Sequence, residues 1–560
     1  MITLHTTAML LQRNILLVIL VILSSLAALS QDIEQAIKAK PFTWTGSVGA
    51  GSEFYTSNAM IDRYSPYTWQ FNGNFTMTLF EALSMPFSFT IGKQVKEFSQ
   101  PFFQMGVSPS YKWATLHAGF RNMTFNPYTL NGATFAGVGV ELNPAWFRFS
   151  TMFGRFAKAT EADPMSSSPE FPAYRRLGYG TKIGFGKENN YIDLSFFKSK
   201  DDSSSITRPD PSTYEIRPED NMAFGVSTKQ VMWTNLTFLG DYGLSFFTAD
   251  QGATPGEEKT PLKGNTSTTT SHAVKASLAY AFPTAKLGFS YERVDPGYKS
   301  HGSYYFSDDF EHILFTPSWS MWKEKVSVSV SAGLQRNNLY ADKEVRDFRL
   351  ANSVGVNANL SQIFGFDINY SNFSMNQKST SSLILTDYNK VKNVSHNLNL
   401  GPRFTFMDEQ KVQSVVANYN LQVYNDKNAE SSSMADNNSH FASVNYNVSF
   451  IPTGWNVFTG VNATAFSQEI TNLKQFGVSG GFSKAFVENT LSTSLNTTYN
   501  VSLLDKKYDG GVYNLGINTA YTLKKQHSFA LTLGVLNNMS KTSESFTEFR
   551  GGVKYNFTIR

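Results

Sequence analysis

The sequence predicts an all-β chain that closes on itself as one large antiparallel transmembrane β-barrel. Three observations predict it. Apolar and polar residues alternate with period two along nearly the whole chain. Short turns alternate with long polar links. The composition is poor in charge and rich in aromatic residues.

The alternation is plainest from Lys325 to Leu334, which reads KVSVSVSAGL. Successive side chains of a strand point to opposite faces. One face here is hydrocarbon and the other small hydroxyls, which suits lipid outside and water inside. Val326, Val328 and Val330 are expected to face lipid, and Ser327, Ser329 and Ser331 a wet lumen. Such segments of about ten residues begin at Pro41 and continue to the last residue. Threading gives about 26 strands, within roughly 22 to 28.

The links alternate in length. Short turns fall at Asn143-Pro144, Glu188-Asn189, Pro283-Thr284, Asp408-Glu409, Val487-Glu488 and Lys524-Lys525, among others. Between them sit longer polar links at 122–132, 158–174, 201–218, 251–270, 295–310, 378–388 and 425–438. Short periplasmic turns and long extracellular loops are the habit of outer-membrane barrels. A soluble sandwich has no reason to keep such an alternation.

Charged residues make up 16% of the chain, below the usual quarter. Aromatics make up 14%, with 47 Phe and 26 Tyr. A lipid-facing band with aromatic girdles needs this balance. Trp44, Trp113, Trp146, Trp233, Trp319, Trp322 and Trp455 fall beside short turns or at the start of the barrel, where indole rings favour the membrane–water boundary. The net charge of +4 is too small for this length to argue for a nucleic-acid partner. There is no cysteine, so disulfide staples, thiol chemistry and thiolate metal sites are excluded.

From Met9 the chain reads MLLQRNILLVILVILSSLAALSQ. Arg13 precedes an apolar run, Ile15 to Leu23, and small residues lead to Ser30. This is the layout of a secretory signal peptide cleaved near Ser30, and the run is short for a membrane-spanning helix. The expected division is a signal peptide at 1–30, a short periplasmic segment at 31–40 and a barrel at 41–560.

The chain ends GGVKYNFTIR. Val553, Tyr555, Phe557 and Ile559 share one face; Lys554, Asn556 and Thr558 share the other. This alternating aromatic final strand resembles the closing strand of Gram-negative outer-membrane β-barrel proteins of porin-like type, although Arg560, not Phe, stands last. The resemblance extends at the level of pattern over the whole mature chain. It implies residence in the cell outer membrane and outer-membrane lipid as a partner.

The inward sets differ between the two halves. In the C-terminal half they are small and neutral. Ser353, Gly355, Asn357 and Asn359 form one set, Asn393, Ser395, Asn397 and Asn399 another, and Ser492, Ser494, Asn496, Thr498 and Asn500 a third. In the N-terminal half parity turns charges inward: His117, Arg121, Glu141, Arg148, Lys182 and Asp193. Gly180, Gly184 and Gly186 beside them leave room for a segment to approach closely. This charged wall is expected to pair internally and with a folded-in loop, 158–174 or 201–218, because a lumen of this strand number would leak if left open.

No catalytic constellation emerges. The mature chain's His117, His272, His301, His312, His396, His440 and His527 lie far apart in strand order, and HExxH, P-loop and EF-hand patterns are absent. Asp201-Asp202 and Asp308-Asp309 lack the spaced oxygen ligands of a calcium site, and are expected in solvated loops. Neither an enzyme, a cofactor nor a metal is expected. The expected function is a porin-like channel for passive passage of small polar solutes, with long loops partly occluding the lumen. The alternative is a non-conducting barrel subunit of an outer-membrane assembly or secretion complex, with envelope protein partners.

Overall fold

The computed structural model describes residues 40–79, 83–93, 104–162, 171–207, 215–256, 261, 264–304, 307–379, 390–428, 435–486 and 490–559. The signal peptide, most of segment 31–40 and the turn Val487-Glu488 lie outside these residues.

The structure is one closed antiparallel barrel of 26 crossing strands. The first strand, Phe42–Ser57, pairs with the last, Phe546–Ile559, from Gly46 opposite Ile559 to Ser57 opposite Glu548. Closure leaves no open edge, so the ladder satisfies the backbone groups that lipid cannot. Two crossings are interrupted. Gln104–Val107 and Ser110–Tyr111 form one, and Phe310–Phe315 and Ser318–Met321 the other. Pro109 and Pro317 stand in the gaps, where a residue without an N–H cannot continue the ladder.

Large apolar side chains stand exposed around the outside, among them Leu116, Val138, Phe153, Leu194, Leu287, Val354, Val461, Val478 and Val553. In water this surface would drive aggregation. Against hydrocarbon it holds the barrel in place, which makes this an outer-membrane protein. In the strand Val326–Asn337, Val328 lies between Trp319 and Val356, and Ser329 between Ser318 and Gly355.

The two ends differ. At one end strands join tightly, as from Leu142 to Phe147, Lys187 to Asn190 and Leu523 to His527. At the other, long loops join Ala157 to Arg175, Asp202 to Asp220, Thr248 to Thr268 and Ser379 to Lys392. The length alternation lapses in the last third. There Gln468 meets Thr471 across two residues, and so does Leu504 meet Lys507. Asp505 and Lys506 both take positive φ, 48° and 64°, the backbone of a type I′ hairpin that matches strand twist.

Candidate functional site: two inserted loops and a divided lumen

Two loops fold into the barrel from the long-loop end. One joins Ala114–Thr124 to Leu130–Leu142; the other joins Ala285–Val294 to Phe310–Phe315. They meet in a short parallel pairing, Gly302 opposite Leu130 and Ser303 opposite Asn131. The Tyr298 hydroxyl donates to the Tyr128 carbonyl at 2.7 Å, and the Ser300 hydroxyl to the Thr129 carbonyl at 2.5 Å.

The wall receives them. Asn126 donates to the Val226 carbonyl at 3.2 Å and to the Ser227 hydroxyl at 2.8 Å. Tyr128 donates to Glu292 at 3.0 Å, and Thr129 shares a hydrogen bond with Ser195 at 3.2 Å. Glycine makes the approach possible. A Cβ on Gly243 would lie 2.4 Å from both Tyr128 Cβ and the Tyr298 hydroxyl. Between loop and wall lies an apolar layer of Met123, Phe125, Leu130, Ala133, Phe135, Met152 and Phe197.

Above this layer runs an ionic latch. Arg176 donates to Asp201 at 2.7 and 2.9 Å and to Glu219 at 2.7 Å. Lys299 of the inserted loop reaches Glu219 at 2.6 Å. His301 donates from Nε2 to Glu219 at 2.9 Å and accepts at Nδ1 from Ser199 at 2.7 Å. Burial pushes the His301 imidazole below its ordinary pKa, against the pull of Glu219. Burial would raise the Glu219 carboxyl, but the hydrogen bonds and charges of His301 and Lys299 outweigh it and hold it at about 2.

The charges named from the sequence stand in separate groups, most of them nearer the short-turn end, with Arg121 toward the long-loop end of its strand Ala114–Thr124. Arg148 donates to Asp193 at 2.6 and 3.1 Å, and to the Gly186 carbonyl at 2.9 Å. His117 stands 3.8 Å from Glu141, with Ser108 on its other ring nitrogen at 2.8 Å. Arg121 donates to the Ser88 hydroxyl and the Pro86 carbonyl. Of the six, Lys182 touches an inserted loop, its ammonium 5.8 Å over the Phe125 ring while it donates to the Thr124 carbonyl at 3.4 Å. The seven tryptophans Trp44, Trp113, Trp146, Trp233, Trp319, Trp322 and Trp455 all lie at the short-turn end.

Among the described residues the inserted loops are the two just described. Of 158–174 and 201–218, the middles 163–170 and 208–214 lie outside the described residues, and the described ends pair along the rim, as in the Thr160–Ala173 bridge and the Thr207 amide on Glu161. Length does not decide insertion; the apolar side chains of 125–130 do. Nor are the acidic pairs merely solvated. Asp201 is 3% exposed in the latch and Asp309 is 2% exposed against Lys343 and the Leu339 amide. Sequence reasoning missed the latch, and the signal that could have found its wall residues is parity: Asp201 shares the face of Asp193, and Arg176 that of Lys182. No group of three or more metal-ligating side chains occurs among the described residues.

In the C-terminal half the inner wall is built of amides. Asn420 donates to Asn397 at 3.2 Å, and Asn462 to Asn500 at 3.2 Å. Those last two lie over Gly477, where a Cβ would fall 1.9 Å from the Asn500 side-chain oxygen Oδ1. Charge enters with Asp367, which binds both Arg403 and Asn357.

No protein-family model matches the sequence, and no curated protein matches it. Among solved structures, the translocation pore of the P pilus usher (PapC) is similar at 11% identity, covering 92% of this chain and 99% of that one, with a TM-score of 0.35. OccK7 (OpdD) of Pseudomonas aeruginosa is similar at 9% identity, covering 92% and 99%, with a TM-score of 0.31. OccAB3 of Acinetobacter baumannii is similar at 10% identity, covering 68% and 99%, with a TM-score of 0.31. Likeness of this size assigns neither solute nor partner.

Proposed function

We propose that this outer-membrane barrel is a porin-like channel through which small polar solutes pass passively, along the neutral wall of its C-terminal half. One observation carries the reading. The amide-lined wall runs beneath tight upper connections, Glu469-Ile470 and Asp505-Lys506, whereas the inserted loops occupy the other half. Amides and hydroxyls exchange hydrogen bonds with a hydrated solute without a fixed charge to hold it. The charged groups His117 with Glu141 and Arg148 with Asp193 then shape the periplasmic mouth below the loops, with Arg121 and Lys182 higher on the same wall. The seven tryptophans anchor that end at the lipid boundary. Purified protein in planar bilayers is expected to show stepwise conductance, and proteoliposomes to swell in neutral sugars. Silence at every voltage, with no swelling, would sink the proposal.

The filled N-terminal half favours a second reading, a non-conducting barrel subunit of an envelope assembly or secretion complex. Gentle extraction and native gels would then show a stable high-mass complex. A monomer unchanged by crosslinking in cells removes this reading.

A further inference from the structure

The outer surface of the barrel carries a row of cations at the long-loop end. Val294 is buried inside against Tyr128 and Tyr298, so its neighbour Arg293 faces outward. The register carries that face across the sheet. Arg293 lies opposite Glu311, Glu311 opposite Arg336, and Arg336 opposite Phe348. Arg346, two residues before Phe348, lies opposite Lys378. Phe348 lies opposite Asn376, and Asn376 opposite Lys392. Five cations on neighbouring strands thus share one outward arc.

Their partners are unequal. Arg336 is paired with Glu311 at 2.5 Å, and Arg293 with Asp295 at 3.1 Å. Arg346 gives two hydrogen bonds to one carbonyl, Asn338, at 3.2 and 2.8 Å. The Lys378 ammonium stands 4.9 Å over the Phe348 ring. Among the described residues no carboxylate pairs with Arg346, Lys378 or Lys392. The arc keeps an excess of three positive charges over Glu311 and Asp295.

Directly toward the membrane centre the same face turns apolar on the strands of Glu311, Arg336 and Arg346, while beneath Lys378 it carries Asn376 and Ser374. Ile313, Leu334 and Leu350 stand opposite one another, exposed by 38%, 42% and 45%. A cation row over an apolar row has the layout of a lipid: charge at headgroup height, hydrocarbon below. Another part of the rim lacks this excess at its paired cations, where Asp202 closes Arg175 and Asp220 closes Lys198.

We infer that this arc is a binding site for a phosphorylated lipid of the outer leaflet. Its phosphate lies against Arg346, Lys378 and Lys392, and its acyl chains along Ile313, Leu334 and Leu350. A guanidinium fork suits phosphate oxygens, and each basic residue near an anionic headgroup adds to affinity.

The test uses the full barrel in neutral-lipid nanodiscs, titrated with diphosphorylated lipid A or with the same lipid stripped of phosphate. The triple variant R346Q/K378Q/K392Q is expected to lose roughly a hundredfold in affinity for the diphosphorylated lipid. Binding of the stripped lipid is expected to be weak and unchanged, and K198Q to behave as the parent. Unboiled gel mobility confirms that each variant is folded. Equal binding by the triple variant, equal affinity for both lipids, or full competition by millimolar inorganic phosphate would each overturn the lipid site.

Discussion

His301 donates a hydrogen bond from Nε2 to Glu219 at 2.9 Å and so ties a loop from one part of the chain to a wall built from another, 82 residues away. The bond is nearly dry, since the imidazole is 2% exposed. Removing the ring leaves Glu219 with Lys299 and Arg176 but frees Ser199 and the loop backbone. His301→Ala is expected to release the loop while the barrel remains folded. Limited proteolysis at 298–303 should quicken severalfold, with unboiled gel mobility unchanged. An uncut loop would show that the apolar layer alone holds it.

The latch should weaken in acid. His301 has its pKa lowered below its ordinary 6.5 by burial, so below that pH a released loop binds a proton that the latched one does not. Glu219, held at about 2 against an ordinary 4.5, adds stability that is full above 4.5 and lost as pH falls toward 2. Arg176, Asp201 and Lys299 face the same pair. Protection of 298–303 from hydrogen exchange, taken relative to the intrinsic rate at each pH, is expected to be greater at pH 8 than at pH 5. Equal protection at the two values contradicts the latch.

Phe197 is fully buried between wall and loop, with Phe135 and Phe156 near it. Phe197→Ala should cost about 3–5 kcal/mol at that site. The cost falls on loop docking, because the outer apolar face and the ladder are untouched. Chemical denaturation followed at the loop should shift, while the barrel's own unfolding should not.

Arg148 and Asp193 pair beneath the loops, 20% and 11% exposed. Arg148→Ala leaves a carboxylate with little water, at a cost of about 1–3 kcal/mol for this partly wet pair. Arg148→Met with Asp193→Leu should recover most of it. Heat-modifiability in gels reads both. Since neither residue touches an inserted loop, protease sensitivity at 298–303 should stay at the parental level.

The neutral wall offers a test of passage. Asn397→Asp puts a charge beside Asn420 and is expected to shift the reversal potential toward cation selectivity without loss of folding. Ser195→Asp, under Thr129 and 6% exposed, should instead expel the loop. An unchanged reversal potential for Asn397→Asp would place the conducting path elsewhere.

The strands were legible because lipid outside and water inside impose opposite chemistry on alternate residues. Val328 and Ser329 announce their faces without any knowledge of neighbours. Parity also reached Arg148 and Asp193, which do meet. Insertion was less legible, because it depends on what a loop carries and not on how long it is. Phe125, Tyr128 and Leu130 are apolar residues in and beside a link that water should surround, and that was the available signal. The latch was missed for another reason. Arg176, Asp201 and His301 are far apart in sequence, and only the closed sheet brings them together.

The tight hairpins Glu469-Ile470 and Asp505-Lys506 have a consequence for whatever approaches the cell. Antibodies, phages and proteases grip surface loops, and at these two hairpins the barrel offers almost none. Recognition by such agents should therefore fall mainly on the longer loops that precede Asn437. Epitope tags placed at Glu469 or Asp505 would stand close to the membrane surface, whereas a tag in the 251–270 link would stand clear of it.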